Sequence, residues 1–115
     1  KALCAGRILV GAAYVLVPAQ AGRPWIGADP ARPTATVLAR AFGARDLALG
    51  LGTLLSLRDG LATRRWMQLG IVCDAVDLGA TIAARRSLSP MGLYGTAAIA
   101  GGAVAIGAAL AGRVD

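Results

Sequence analysis

Long apolar stretches separated by short polar breaks organise this chain of 115 residues. The first covers residues 2–19, with its uninterrupted apolar run at 8–17. The second, 34–58, is mixed at the start and plainly apolar over 47–57, and stretches 63–86 and 91–112 follow. The breaks are residues 20–33, with three of the five prolines, the turn Arg58-Asp59-Gly60, and Ser87-Leu88-Ser89-Pro90. A helix of about 24 residues is about 36 Å long at 1.5 Å per residue, enough to cross a hydrocarbon core of about 30 Å. The pattern predicts an all-α, four-helix transmembrane bundle, a single integral membrane domain over 1–115 with spans at approximately 2–19, 34–58, 63–86 and 91–112. Pro18 reads as the end of the first helix. Gly60 suits the left-handed position after the second, while Ser89 and Pro90 read as cap and first residue of the fourth.

Composition agrees with a lipid environment. Hydrophobic residues make up 57% and charged residues 16%, with one lysine, no glutamate and no histidine, and the mean hydropathy is +0.63. A soluble domain carries about 25% charged residues and a face rich in Glu and Lys. Lys1, the apolar run and Ala19-Gln20-Ala21 imitate a secretory signal peptide, but Arg7 inside the segment argues against one. The sequence opens at Lys1 rather than a methionine, which leaves room for preceding residues.

The net charge of +6 raises nucleic acid as a partner. The arginines form no stripe with interleaved aromatics, which argues against it. Most stand at helix ends (Arg23, Arg32, Arg58, Arg64, Arg65, Arg85, Arg86, Arg113), where they suit anionic lipid head groups. Lys1, Arg58, Arg64, Arg65 and Arg113 share one side, five cations against four on the other, so the positive-inside rule leans toward cytoplasmic termini. Trp25 and Trp66 read as interfacial anchors, because indole rings favour the head-group level. A ligand lid in the 20–33 loop is the alternative for Trp25.

The remaining charges stand where hydrocarbon should be. If the second and third helices fold back at Asp59-Gly60, residues whose numbers sum to about 119 lie at equal depth. Arg45 then meets Asp74 and Arg40 approaches Asp77, while Arg7 of the first helix comes within a turn of Asp46. The inventory is three arginines (Arg7, Arg40, Arg45) against three aspartates (Asp46, Asp74, Asp77), a balance suited to a dry interior. A register-fixing ion-pair network is the plain reading; a polar site for a cation, proton or head group is the functional one. Arg40 and Arg45 are about 140° apart around their helix, so that helix must contact more than one neighbour. Asp74-x-x-Asp77 supplies too few oxygens for a hard cation. Cys4 and Cys73 lack metal spacing and read as buried thiols. No metal, no cofactor and no independent enzyme activity are expected.

The fourth stretch is nearly all small, with Ala97/Gly101, Ala98/Gly102 and Ala103/Gly107 four residues apart. Gly101, Gly102 and Gly107 are the expected helix-packing positions, whether within this bundle or against another protein.

The segments Gly6-Arg7-Ile8-Leu9-Val10-Gly11, Trp25-Ile26-Gly27, Ala41-Phe42-Gly43-Ala44-Arg45-Asp46-Leu47-Ala48-Leu49-Gly50 and Asp74-Ala75-Val76-Asp77 resemble a family of small, uncharacterised bacterial membrane proteins, common in actinobacteria and loosely similar to DoxX-like proteins. That resemblance implies a four-helix fold in the bacterial plasma membrane and brings no catalytic residue. The function expected is an accessory or structural subunit of a larger assembly of integral membrane proteins. The alternatives are a carrier or binding protein for a small hydrophobic or amphiphilic ligand, or a proton-coupled transporter, using the Arg/Asp cluster.

Overall fold

The computed structural model describes residues 1–26 and 32–113, apart from the side chain of Ile26, and those residues are all-helical. Among the described residues five helices are present rather than four: α1 (Ala2–Leu16), α2 (Pro18–Ile26), α3 (Pro33–Leu55), α4 (Gly60–Ala83) and α5 (Pro90–Ala111). The described part measures 44 × 25 × 18 Å.

The extra helix comes from Pro18. A proline has no N–H to continue the helical ladder and pushes the residue before it out of the helical region. Val17 accordingly sits at φ −130°, ψ 59°, its own N–H still donating to Ala13. Ala21 then donates to the carbonyl of Val17 and starts a new helix, turned by 113°. The expected span 2–19 is therefore broken, and the first part of the expected 20–33 loop is helical. Gly27, Ala28, Asp29, Pro30 and Ala31 lie outside the described residues.

The other boundaries follow local chemistry. Pro33 opens α3, and the Thr36 hydroxyl donates back to the carbonyls of Arg32 and Pro33. Asp59 caps α4 by accepting from the Ala62 N–H at 2.9 Å. The Thr63 hydroxyl donates to the Ser56 carbonyl, which closes the α3–α4 turn. Ser89 caps α5 through the Gly92 N–H at 3.1 Å, with Pro90 as the first helical residue.

The helices join by close approach of small residues. On the antiparallel α1–α3 pair, a Cβ built on Gly11 would lie 2.7 Å from the Gly43 carbonyl, and one on Gly43 would lie 2.6 Å from the Gly11 carbonyl. Further along, a Cβ on Gly50 would meet the Cys4 carbonyl at 3.1 Å. The α3–α4 pair is also antiparallel, with Gly52 under the Trp66 ring and Ser56 beside Thr63. On α5, Gly107 faces Ile71 of α4, and Gly92 faces the backbone of Pro24 and Trp25 in α2. Gly101 and Gly102 have no atom within 4 Å of a built Cβ. Of the three glycines expected to pack helix against helix, only Gly107 does so among the described residues. The tightest packing instead lies in α1 and α3, where sequence inspection did not place it.

Size and polarity are distributed inside out. The buried residues are small, modest or polar (Cys4, Ala39, Leu49, Ala100, Thr53, Thr81, Asp46, Asp74), while Leu9, Leu16, Val37, Leu55, Val76 and Ile99 stand mostly exposed. Among the described residues two helices, α4 and α5, are long and apolar enough to cross a membrane, or up to three spans if the bent α1–α2 pair counts as one. The 23 residues of α3 suffice in length, but any stretch of eighteen includes Arg40, Arg45 and Asp46.

The glycine contacts carry a prediction. Gly43→Ala should destabilise the folded protein by at least about 2 kcal/mol through overpacking, measured by denaturant titration in detergent micelles. Gly101→Ala, built into open space, should leave the same transition where it was.

Candidate functional site

The charges inside the helix assembly converge on Arg7. Its Nη1 donates to Oδ1 of Asp46 on α3 at 2.9 Å, and its Nη2 pairs with Oδ2 of Asp74 on α4. One guanidinium from α1 thus joins three helices. Asp46 and Asp74 are buried, and the Arg7 side chain is 12% exposed. A second arginine completes the cluster. Arg45 forms a two-pronged bond with Asp77, Nη1 to Oδ1 at 3.0 Å and Nη2 to Oδ2 at 2.6 Å. Its Nη2 also lies 3.6 Å from Oδ1 of Asp46. The paired donors of a guanidinium match the two oxygens of a carboxylate.

Helical geometry explains the division of partners. Arg45 and Asp46 are adjacent and so point about 100° apart. Asp46 faces α1 and takes Arg7; Arg45 faces α4 and takes Asp77. Asp74 and Asp77, three apart, share one face of α4, and Arg7 occupies the first. The expected Arg45–Asp74 pair is therefore replaced by Arg45–Asp77, one helical turn along, and Arg7–Asp74.

Arg40 does not join them. It is exposed, and its Nε donates to the Val15 carbonyl at 3.3 Å, near the end of α1. The expected approach of Arg40 to Asp77 is absent from the ion pairs among the described residues. Two arginines therefore face three aspartates, and the cluster holds one arginine fewer than the balanced inventory assumed, which leaves one carboxylate in excess.

Small and aromatic residues shape the surroundings. A Cβ on Gly70 would lie 3.1 Å from Nη2 of Arg7, so the absent side chain makes the guanidinium's berth. Gly70 precedes Asp74 by four residues, on the same face, which is the signal sequence inspection passed over. Phe42 stacks 4.7 Å below the Arg45 guanidinium and belongs to a cluster with Tyr14 at 4.8 Å and Trp25 at 5.3 Å. Trp66 covers Gly52 at the other end of α3. A cavity of about 10 Å³ lies beside Arg7, lined by Cys4, Thr53, Met67 and Gly107 among others. That is room for about one water molecule. Cys4 is buried and Cys73 half-buried, both free thiols.

Comparison of the chain with protein-family models, with curated proteins and with solved structures finds no match.

The geometry changes which pair should be coupled. Arg45→Ala should cost about 3–5 kcal/mol by stranding Asp77, and adding Asp77→Ala should return part of that loss. Additive losses in the double-mutant cycle would show that the two do not interact. Arg40→Ala, which strands no carboxylate, should leave stability essentially unchanged.

Proposed function

We propose that this is a multi-pass protein of the bacterial plasma (inner) membrane and an accessory, structural subunit of a larger assembly of integral membrane proteins. One observation carries the reading: the charges turn inward onto one another, while the outward faces offer apolar surface. On α5, Gly95, Ala98, Gly102, Ala105 and Ala109 recur at spacings of three and four along one face. Gly95, Ala98, Ala105 and Ala109 are exposed, and nothing lies over Gly102. Such a face lets a second helix come close, and packing rather than hydrophobicity drives association in lipid.

In this reading the Arg/Asp cluster is an intramembrane ion-pair network that sets helix register. Trp25 and Trp66 sit at opposite ends as interfacial anchors. Arg23, Arg85 and Arg86 at one end, and Arg58 and Arg64 at the other, meet anionic head groups. The carrier alternative needs far more room than the water-sized cavity beside Arg7 offers. Proton-coupled transport has one observation in its favour, the carboxylate in excess within the cluster. Asp74→Asn should then abolish transport in vesicles while the folded protein still assembles; loss of assembly makes Asp74 structural.

For the leading reading, the protein purified in mild detergent should elute with a second membrane polypeptide at fixed stoichiometry. Gly102→Leu should release that polypeptide while leaving the chain's own thermal unfolding unchanged. A wild-type chain that elutes alone, as monomer or homo-oligomer, contradicts the reading.

A further inference from the structure

A groove of about 290 Å³ runs along the start of α4, lined by Asp59, Leu61, Ala62, Arg65, Trp66 and Leu69. Its chemistry is divided. Asp59 at the turn supplies a carboxylate and Arg65, in the second turn of α4, a guanidinium, both exposed. They make no ion pair with each other among the described residues. Oδ1 of Asp59 caps the Ala62 N–H, and among the described residues Oδ2 makes no hydrogen bond. Below them the surface is hydrocarbon. Arg65, Leu69, Val72 and Val76 follow at intervals of four, three and four, which puts them in one column on the face of the helix. Leu69, Val72 and Val76 are each more than half exposed. The Trp66 ring, fixed over Gly52, walls the groove at the level where the charges give way to apolar residues.

Two opposite charges above one apolar track match a molecule with a cationic group, an anionic group and an alkyl chain in that order of depth. We infer that this groove binds one phospholipid with a zwitterionic, primary-amine head group. Its phosphate sits on Arg65, its ammonium on Asp59, and one acyl chain runs along Leu69, Val72 and Val76. The inference rests on the membrane reading above and goes beyond it in selecting among lipids. A purely anionic head group would gain Arg65 and face the Asp59 carboxylate. A quaternary amine would carry the charge and donate no N–H to that carboxylate. Each contact is exposed, so each contributes modestly, and selectivity comes from their combination.

The test uses the whole chain in bilayers holding phosphatidylethanolamine, phosphatidylglycerol and phosphatidylcholine in equal amounts, followed by detergent extraction and mass spectrometry of the retained lipid. Phosphatidylethanolamine should be enriched at least about threefold over each of the others, as two weak exposed pairs allow. Asp59→Asn keeps a capping side chain and should shift the preference toward phosphatidylglycerol. Arg65→Gln should lose the enrichment altogether. Equal retention of the three lipids, a wild-type preference for phosphatidylglycerol, or an unchanged profile in Asp59→Asn would overturn the inference. Resistance to alkaline extraction, measured on the same bilayers, reports membrane integration separately and so distinguishes loss of lipid selectivity from failure of the membrane reading.

Discussion

One guanidinium shared between two carboxylates holds this fold in register. Arg7 reaches from α1 to Asp46 on α3 and Asp74 on α4, and no apolar contact could substitute for that specificity. Apolar surfaces slide with little penalty, whereas a displaced buried charge loses its partner while keeping its desolvation cost. Shifting any of the three helices by one turn would strand at least one ion. The Arg45–Asp77 bond, one turn further along α4, repeats the constraint between α3 and α4. The price of such a network in stability is repaid as a unique arrangement, which is the best-attested use of buried ionic groups.

The network needs backbones close enough for side chains to meet, and glycine supplies that. Gly11 against Gly43 draws α1 onto α3, Gly50 admits Cys4 and Arg7, and Gly70 leaves the volume the Arg7 guanidinium fills. Many large apolar side chains stand on the outside instead. Leu9, Leu16, Val37 and Leu55 are exposed where a soluble bundle would bury them. In water that exterior would drive aggregation; in lipid tails it costs nothing, and van der Waals contact between small residues becomes the cohesive term. The charge cluster and the inverted surface are thus two sides of one solution: ionic groups pair inside while the outward faces are apolar. The outer face of α5 extends the same logic, since its small residues Gly95, Ala98, Ala105 and Ala109 stand exposed.

Much of this was legible residue by residue. The antiparallel register of α3 and α4 followed from the Asp59-Gly60 turn, and Gly52–Trp66 and Ser56–Thr63 keep it. Ser89-Pro90 announced the start of α5 through local chemistry alone. The convergence of Arg7, Asp46 and Asp74 was half visible, because charge in an apolar run has few alternatives to pairing. What escaped was rotation about the helix axis. Depth alone favoured Arg45 with Asp74, but side-chain direction gives Asp74 to Arg7 and leaves Asp77 for Arg45. Arg40 lay near enough to the end of α3 to escape to the surface, a choice that depends on where α1 stops. Pro18 stood close enough to the end of its apolar run to pass for a terminator, and the helix that follows it turns sharply instead. The small residues of α5 were conspicuous by number, yet the closest contacts belong to isolated glycines in α1 and α3, whose importance depends on what lies opposite.

The central claim is that Arg7 is required because two carboxylates depend on it. The most direct measurement is the unfolding free energy, in micelles or bicelles, of Arg7→Met alone and of Arg7→Met combined with Asp46→Asn and Asp74→Asn. The account predicts that the single substitution is more destabilising than the triple one, because neutral amides no longer need the missing guanidinium. A triple variant less stable than Arg7→Met would contradict it, and would show that the aspartates are held by something other than this arginine.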